Sequence, residues 1–104
     1  MTNVCALTDI APDTGVCALH EGEQVALFRI GNTEQVFAVS NYDPFGKANV
    51  MSRGLIGTKG DRYMVASPLY KQHYDLATGE CFEDENIKLK TWTVQVKDGR
   101  VELV

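Results

Sequence analysis

Much that would announce a function is missing from these 104 residues. No apolar run approaches the length needed to cross a bilayer. The opening M-T-N-V-C-A-L-T-D has neither the basic segment nor the apolar stretch of a secretory signal, so a cytoplasmic location is expected. Basic residues are in the minority, 10 Lys and Arg against 14 Asp and Glu, for a formal net charge of −4. That balance argues against a nucleic-acid partner. The 3 cysteines, Cys5, Cys17 and Cys81, are odd in number and lack paired spacing, so no disulfide framework or cluster-binding set is present. In a reducing compartment they are expected to be buried thiols that pack as small hydrophobes. Neither the dinucleotide motif G-x-G-x-x-G nor a P-loop occurs. Repeats, low-complexity tracts and linkers are absent, and no segment sustains a helical apolar period.

What is present suffices for one domain over residues 1–104, with an apolar content of 44% that can build a core without metal or disulfide. Short β-like segments recur along it: V-C-A-L (4–7), V-C-A-L-H (16–20), Q-V-A-L-F-R-I (24–30), Q-V-F-A-V-S (35–40), R-Y-M-V-A-S (62–67) and H-Y-D-L (73–76). H-E-G-E and G-N-T-E supply turn chemistry between them, and a long loop fills 41–54. The end of the chain, W-T-V-Q-V-K-D-G-R-V-E-L-V, predicts a hairpin. Asp98-Gly99 suits the positive φ angles of a two-residue type I′ turn. That register sets Val96 opposite Val101 and Val94 opposite Leu103 on one face with Trp92, and Lys97 opposite Arg100 on the other. The fold class is all-β, a small antiparallel sandwich or barrel.

Two loops stand out, S-N-Y-D-P-F-G-K-A-N-V-M-S-R-G (40–54) and S-P-L-Y-K-Q-H-Y-D-L-A-T-G (67–79). Together they resemble the cluster-binding loops of Rieske-type ferredoxin domains, C-P-H and C-P-W-H-G-W followed by F-D-L-x-T-G. Pro44 and Pro68 match the prolines, and Y-D-L-A-T-G (74–79) continues the frame. The ligand positions are all substituted: Asp43 and Ser67 replace the cysteines, Phe45 and Tyr70 the histidines. A Rieske [2Fe–2S] centre takes two thiolates on one iron and two imidazoles on the other. Serine hardly ionises near neutral pH, phenylalanine has no lone pair, and tyrosine ionises only at about pH 10. No metal is therefore expected in this chain.

Each substituted residue also has a purely structural reading. Asp43 before Pro44 initiates a turn, Ser67 satisfies a loop amide, and Phe45 and Tyr70 fill the volume a cluster would take. Lys71-Gln72-His73 is expected to face solvent, available to a partner or merely hydrated. The acidic run E-C-F-E-D-E (80–85) reads as a solvated loop, or an edge that steers a basic partner. Cys17 and His20 have half-site spacing, but residues three apart on a strand point to opposite faces. His73 and Cys81 bracket the A-T-G-E turn as two potential ligands or a nucleophile pair, with no orienting third group evident.

The whole chain is also similar to the small subunits of bacterial NAD(P)H-dependent assimilatory nitrite reductases, the NirD type. The similarity runs through G-V-C-A-L (15–19), Q-V-A-L-F-R (24–29), S-P-L-Y-K-Q-H-Y-D-L-A-T-G-E-C (67–81) and V-K-D-G-R-V-E-L (96–103). Its specific part is S-N-Y-D-P-F (40–45) with S-R-G-L-I (52–56), which ordinary Rieske ferredoxins lack. This resemblance implies a Rieske-like β fold without a cluster, and a large partner subunit. That subunit would carry FAD, sirohaem and a [4Fe–4S] cluster and reduce nitrite to ammonium in nitrate assimilation. The small chain would act by docking through its former cluster tip, residues 42–54 and 69–73, with Phe45, Arg53, Tyr70, Lys71 and His73 as the contact candidates. The competing expectations are a working Rieske electron carrier and a free-standing ligand-binding or regulatory module.

Overall fold

The computed structural model describes residues 2–69 and 71–104. These form strands β1 (Thr2–Ala6), β2 (Gly15–His20), β3 (Glu23–Arg29), β4 (Val36–Ser40), β5 (Tyr42–Asp43) and β6 (Ala48–Asn49). They continue with β7 (Leu55–Lys59), β8 (Arg62–Ala66), β9 (His73–Asp75), β10 (Thr91–Trp92), β11 (Val94–Lys97) and β12 (Arg100–Leu103). Two 3₁₀ turns, Leu7–Asp9 and Met51–Arg53, interrupt them. Among the described residues no helix is long and apolar enough to cross a membrane.

The organising strand is β3. Val25, Ala26, Leu27 and Phe28 are all buried, a run that only a strand covered on both faces requires. Alternation divides them: Ala26 and Phe28 enter one core with Val39, Met51, Val65, Tyr74, Leu76 and Leu89. Val25 and Leu27 enter a second core with Leu7, Ile10, Val36, Ala38, Val101 and Leu103. The sheet β10-β4-β3-β2 is thus the middle layer. Sheet β1-β12-β11 covers the second core, and sheet β7-β8-β9 contributes Val65 and Tyr74 to the first. Burying a side chain such as Phe28 stabilises by about 1.5–3 kcal/mol relative to leaving it exposed.

The C-terminal hairpin has the expected register. Val94 pairs with Leu103, Val96 with Val101 and Lys97 with Arg100. Asp98 and Gly99 have φ of 52° and 75°, as a type I′ turn requires.

Three expectations need correction. Leu55–Lys59 is a strand that the sequence pattern did not reveal; it contains Gly57 and an exposed Leu55, so its extended form comes from pairing with β8. The 41–54 loop contains the short β5–β6 hairpin and a 3₁₀ turn. Of the three cysteines only Cys81 is buried; Cys5 is half-buried and Cys17 exposed. Cys17 pairs with Ala26 but lies on β2, an edge strand of the middle sheet, where its side chain reaches solvent.

Candidate functional site

The two loops at the tip are built alike. After β4, Asp43 Oδ1 accepts the N–H of Phe45 (2.9 Å) and of Gly46 (3.1 Å), and its carbonyl accepts the N–H of Lys47 (2.7 Å). After β8, Ser67 Oγ accepts the N–H of Leu69 (3.3 Å), and its carbonyl accepts the N–H of Lys71 (3.1 Å). Lys47 and Lys71 hold the same left-handed conformation, with φ of 54° and 60°. In each loop a short polar side chain closes the turn on its own backbone.

The leading residues of the loops also hold each other. Ser67 Oγ donates to Asp43 Oδ2 in a buried hydrogen bond spanning 24 residues of sequence. Asp43 and Ser67 are 0% and 1% exposed. The buried carboxylate thus has donors on both oxygens, as a charge removed from water requires. Burial and the nearby Asp43 carboxylate push the phenol of Tyr74 well above its ordinary range. A side chain at Gly46 would run into Leu69 of the opposite loop, so the loops also meet in van der Waals contact. Behind them, buried Asn41 ties the first loop to β3: its Oδ1 accepts the N–H of Ser52 (2.7 Å) and its Nδ2 donates to Gln24 (3.0 Å).

The contact candidates occupy different environments. Arg53, Lys71 and His73 line one open cleft of about 490 Å³, with Leu55 and Pro68 as apolar wall. Arg53 and Lys71 are exposed. Phe45 is half-buried and packs against the first core. Tyr70 lies outside the described residues. The expectation that 71–73 all face solvent holds for Lys71 alone. Gln72 and His73 are half-buried because His73 opens β9 and pairs with Ala66.

His73 and Cys81 do come together, through a residue sequence reasoning missed. Glu83 accepts the backbone N–H of His73 (2.7 Å), meets its Nδ1 at 2.6 Å, and accepts from Cys81 Sγ at 3.7 Å. Burial alone would raise the Glu83 carboxyl, but the His73 contacts and the Cys81 thiol outweigh it and hold that carboxyl below its ordinary value. Burial pushes the Cys81 thiol up, the opposite of what a nucleophile needs. Only the charge of the 80–85 run was legible; nothing in it marked Glu83 apart from its neighbours. The Y-D-L-A-T-G frame is structural as well. Asp75 accepts the N–H groups of Ala77 (2.8 Å) and Thr78 (3.2 Å) and pairs with Arg62. Cys17 and His20 diverge as expected: the thiol is exposed, while the imidazole is buried edge-on to Trp92. Among the described residues no three His, Cys, Asp or Glu side chains are grouped to hold a metal.

Comparison with known proteins agrees with this architecture. The family model for the Rieske-like [2Fe–2S] domain matches residues 1–104. The NADH nitrite reductase small subunit of Salmonella typhimurium is 54% identical over 101 residues, covering 97% of this chain and 94% of that one. The solution structure of the Escherichia coli protein NirD superposes with a TM-score of 0.90 at 50% identity, covering 98% and 93% of the two chains. The nitrite reductase [NAD(P)H] large subunit of Klebsiella oxytoca contains a stretch 40% identical over 98 residues, which is 94% of this chain but 10% of that one. The chain therefore belongs to the family of NADH nitrite reductase small subunits, a Rieske-like β domain.

Proposed function

We propose that this chain is an accessory subunit of a cytoplasmic NAD(P)H-dependent nitrite reductase. As a single domain over residues 1–104, it docks on the large subunit and carries no cofactor itself. Reduction of nitrite to ammonium then belongs to FAD, sirohaem and [4Fe–4S] groups on the large subunit. The observation that carries this reading is the buried Asp43–Ser67 hydrogen bond. It joins the loops through their own side chains at the positions where a Rieske domain places its cysteines. The residues present do not fit a [2Fe–2S] cluster. The two oxygen groups are engaged with each other and with loop amides, Phe45 has no donor atom, and Tyr70 offers only a phenol.

Docking draws support from the Klebsiella oxytoca large subunit, where the equivalent stretch is part of the large chain itself. A free-standing regulatory module has no comparable support. The tip loops, 42–54 and 69–73, are the proposed contact face, with Arg53, Lys71 and His73 around the cleft, Phe45 packed on the first core, and Tyr70 on the same loop as Lys71 in sequence. The test is to purify the chain without oxygen, measure its iron and visible spectrum, and run it with the large subunit by size exclusion with light scattering. A colourless, iron-free chain that co-elutes with the large subunit is expected. Stoichiometric iron with Rieske-type absorption would instead make it an electron carrier.

A further inference from the structure

The tip carries charge opposite in sign to the whole. The chain has a net charge of −4, yet its open cleft is lined by Arg53, Lys71 and His73. Among the described residues neither Arg53 nor Lys71 has a carboxylate within 4 Å, as holds for every lysine and arginine there except Arg62 and Lys90; what sets this pair apart is that both line one cleft. Two acids touch residues of this wall, and both are engaged: Glu83 by His73, and the buried Asp43 by Ser67 and two loop amides. Two large apolar side chains accompany the cations. Leu55, 78% exposed, lines the cleft, and Leu69, 46% exposed, lies on the same loop as Lys71.

Building on the small-subunit reading, we propose that this cleft receives a carboxylate side chain of the large subunit, an Asp or Glu flanked by apolar residues. Arg53 presents the forked guanidinium that pairs with a carboxylate through two hydrogen bonds, and Lys71 adds a second point charge. The flanking apolar residues pack on Leu55 and Leu69 and shield the ion pair from water, the usual make-up of an interface hot spot. A small free anion would use the same cations but leave both leucines in water, which is why a protein carboxylate fits better. Lys71 is well placed for this role because its backbone is fixed by its hydrogen bond to the Ser67 carbonyl.

The test measures affinity of the purified large subunit for this chain by calorimetry, at low and high salt. The variants are Arg53→Glu with Lys71→Glu, Leu55→Ala with Leu69→Ala, and Lys97→Glu on the distant β11–β12 hairpin as control. Glu at position 71 suits the backbone, since Glu21 adopts a φ of 50° in this chain. Melting curves check that each variant folds, and the milder Arg53→Gln with Lys71→Asn replaces any that does not. Charge reversal is expected to weaken binding by about 100-fold or more at low salt and to reverse its salt dependence, since salt then screens a repulsion. The leucine pair should weaken it by about 10-fold, and the control should leave it unchanged. If the leucine variant alone lost affinity, the tip would dock but not through an acid, and this inference would fail by itself. If both variants bound like the parent, the tip would not be the docking face. No binding by the parent chain would remove the small-subunit reading as well. Nitrite binding to the isolated chain, lost on charge reversal, would reassign the cleft to a free anion.

Discussion

Asp43 and Ser67 concentrate the physical interest of the molecule at single-residue scale. A carboxylate with no exposure to water is tolerated because its two oxygens meet three donors, two from its own turn and one from the opposite loop. Ser67→Ala removes the cross-loop donor and leaves Oδ2 without it, which is expected to cost about 2 kcal/mol in urea unfolding. Asp43→Ala should cost more, since it also strands the amides of Phe45 and Gly46. The double variant should be less destabilised than the sum of the two, with a coupling of about 1–2 kcal/mol. Purely additive losses would mean that the hydrogen bond contributes nothing to holding the loops. Each residue's local role was legible from sequence, Asp-Pro as a turn starter and Ser as an amide acceptor. Their bond to each other was not, because only the completed sheets bring residues so distant in sequence side by side.

For secondary-structure elements, the sequence was readable wherever a strand buries several apolar residues in a pattern and obscure where it contributes a single one, as β7 does through Ile56. Strands β2, β3, β4, β8 and β12 carry the alternating or continuous apolar patterns that dictate their faces. Strand β7 carries neither, and the loop beyond Cys81 was legible only as acidic. That loop is fastened to the start of β9 by Glu83, which accepts two contacts from His73 and one from Cys81, with Lys59 across the neighbouring cleft. Because the folded Glu83 carboxyl lies below its ordinary value, its contribution to stability is fully present above the ordinary carboxylate range. The contribution fades as pH falls through the depressed folded value. Glu83→Gln is therefore expected to lower the melting temperature at neutral pH by a margin that shrinks in acid. A margin independent of pH would show that the charge of Glu83 is not what fastens the loop.

Across the whole molecule, three sheets enclose two cores, with β3 and β4 in the middle layer facing both. The far sheet, β1-β12-β11, packs on the second core, while the tip loops extend from β4 and β8 beside the first. In this arrangement the Asp43–Ser67 hydrogen bond joins the two tip loops. The cleft beside them and its flanking leucines are the surface proposed above for the large subunit. The class of the fold and the two loops could be read from the sequence; the cleft could not. Arg53 lies on the first loop and Lys71 and His73 on the second, and only the pairing of β7, β8 and β9 gathers them.

The most direct test is NADH-dependent ammonium formation from nitrite by the purified large subunit, with and without this chain, using chain verified to be free of iron. A rate that rises on addition and saturates at a fixed ratio of the two subunits is the predicted result. An unchanged rate, or a rise seen only with chain reconstituted with iron and sulfide, would contradict the account.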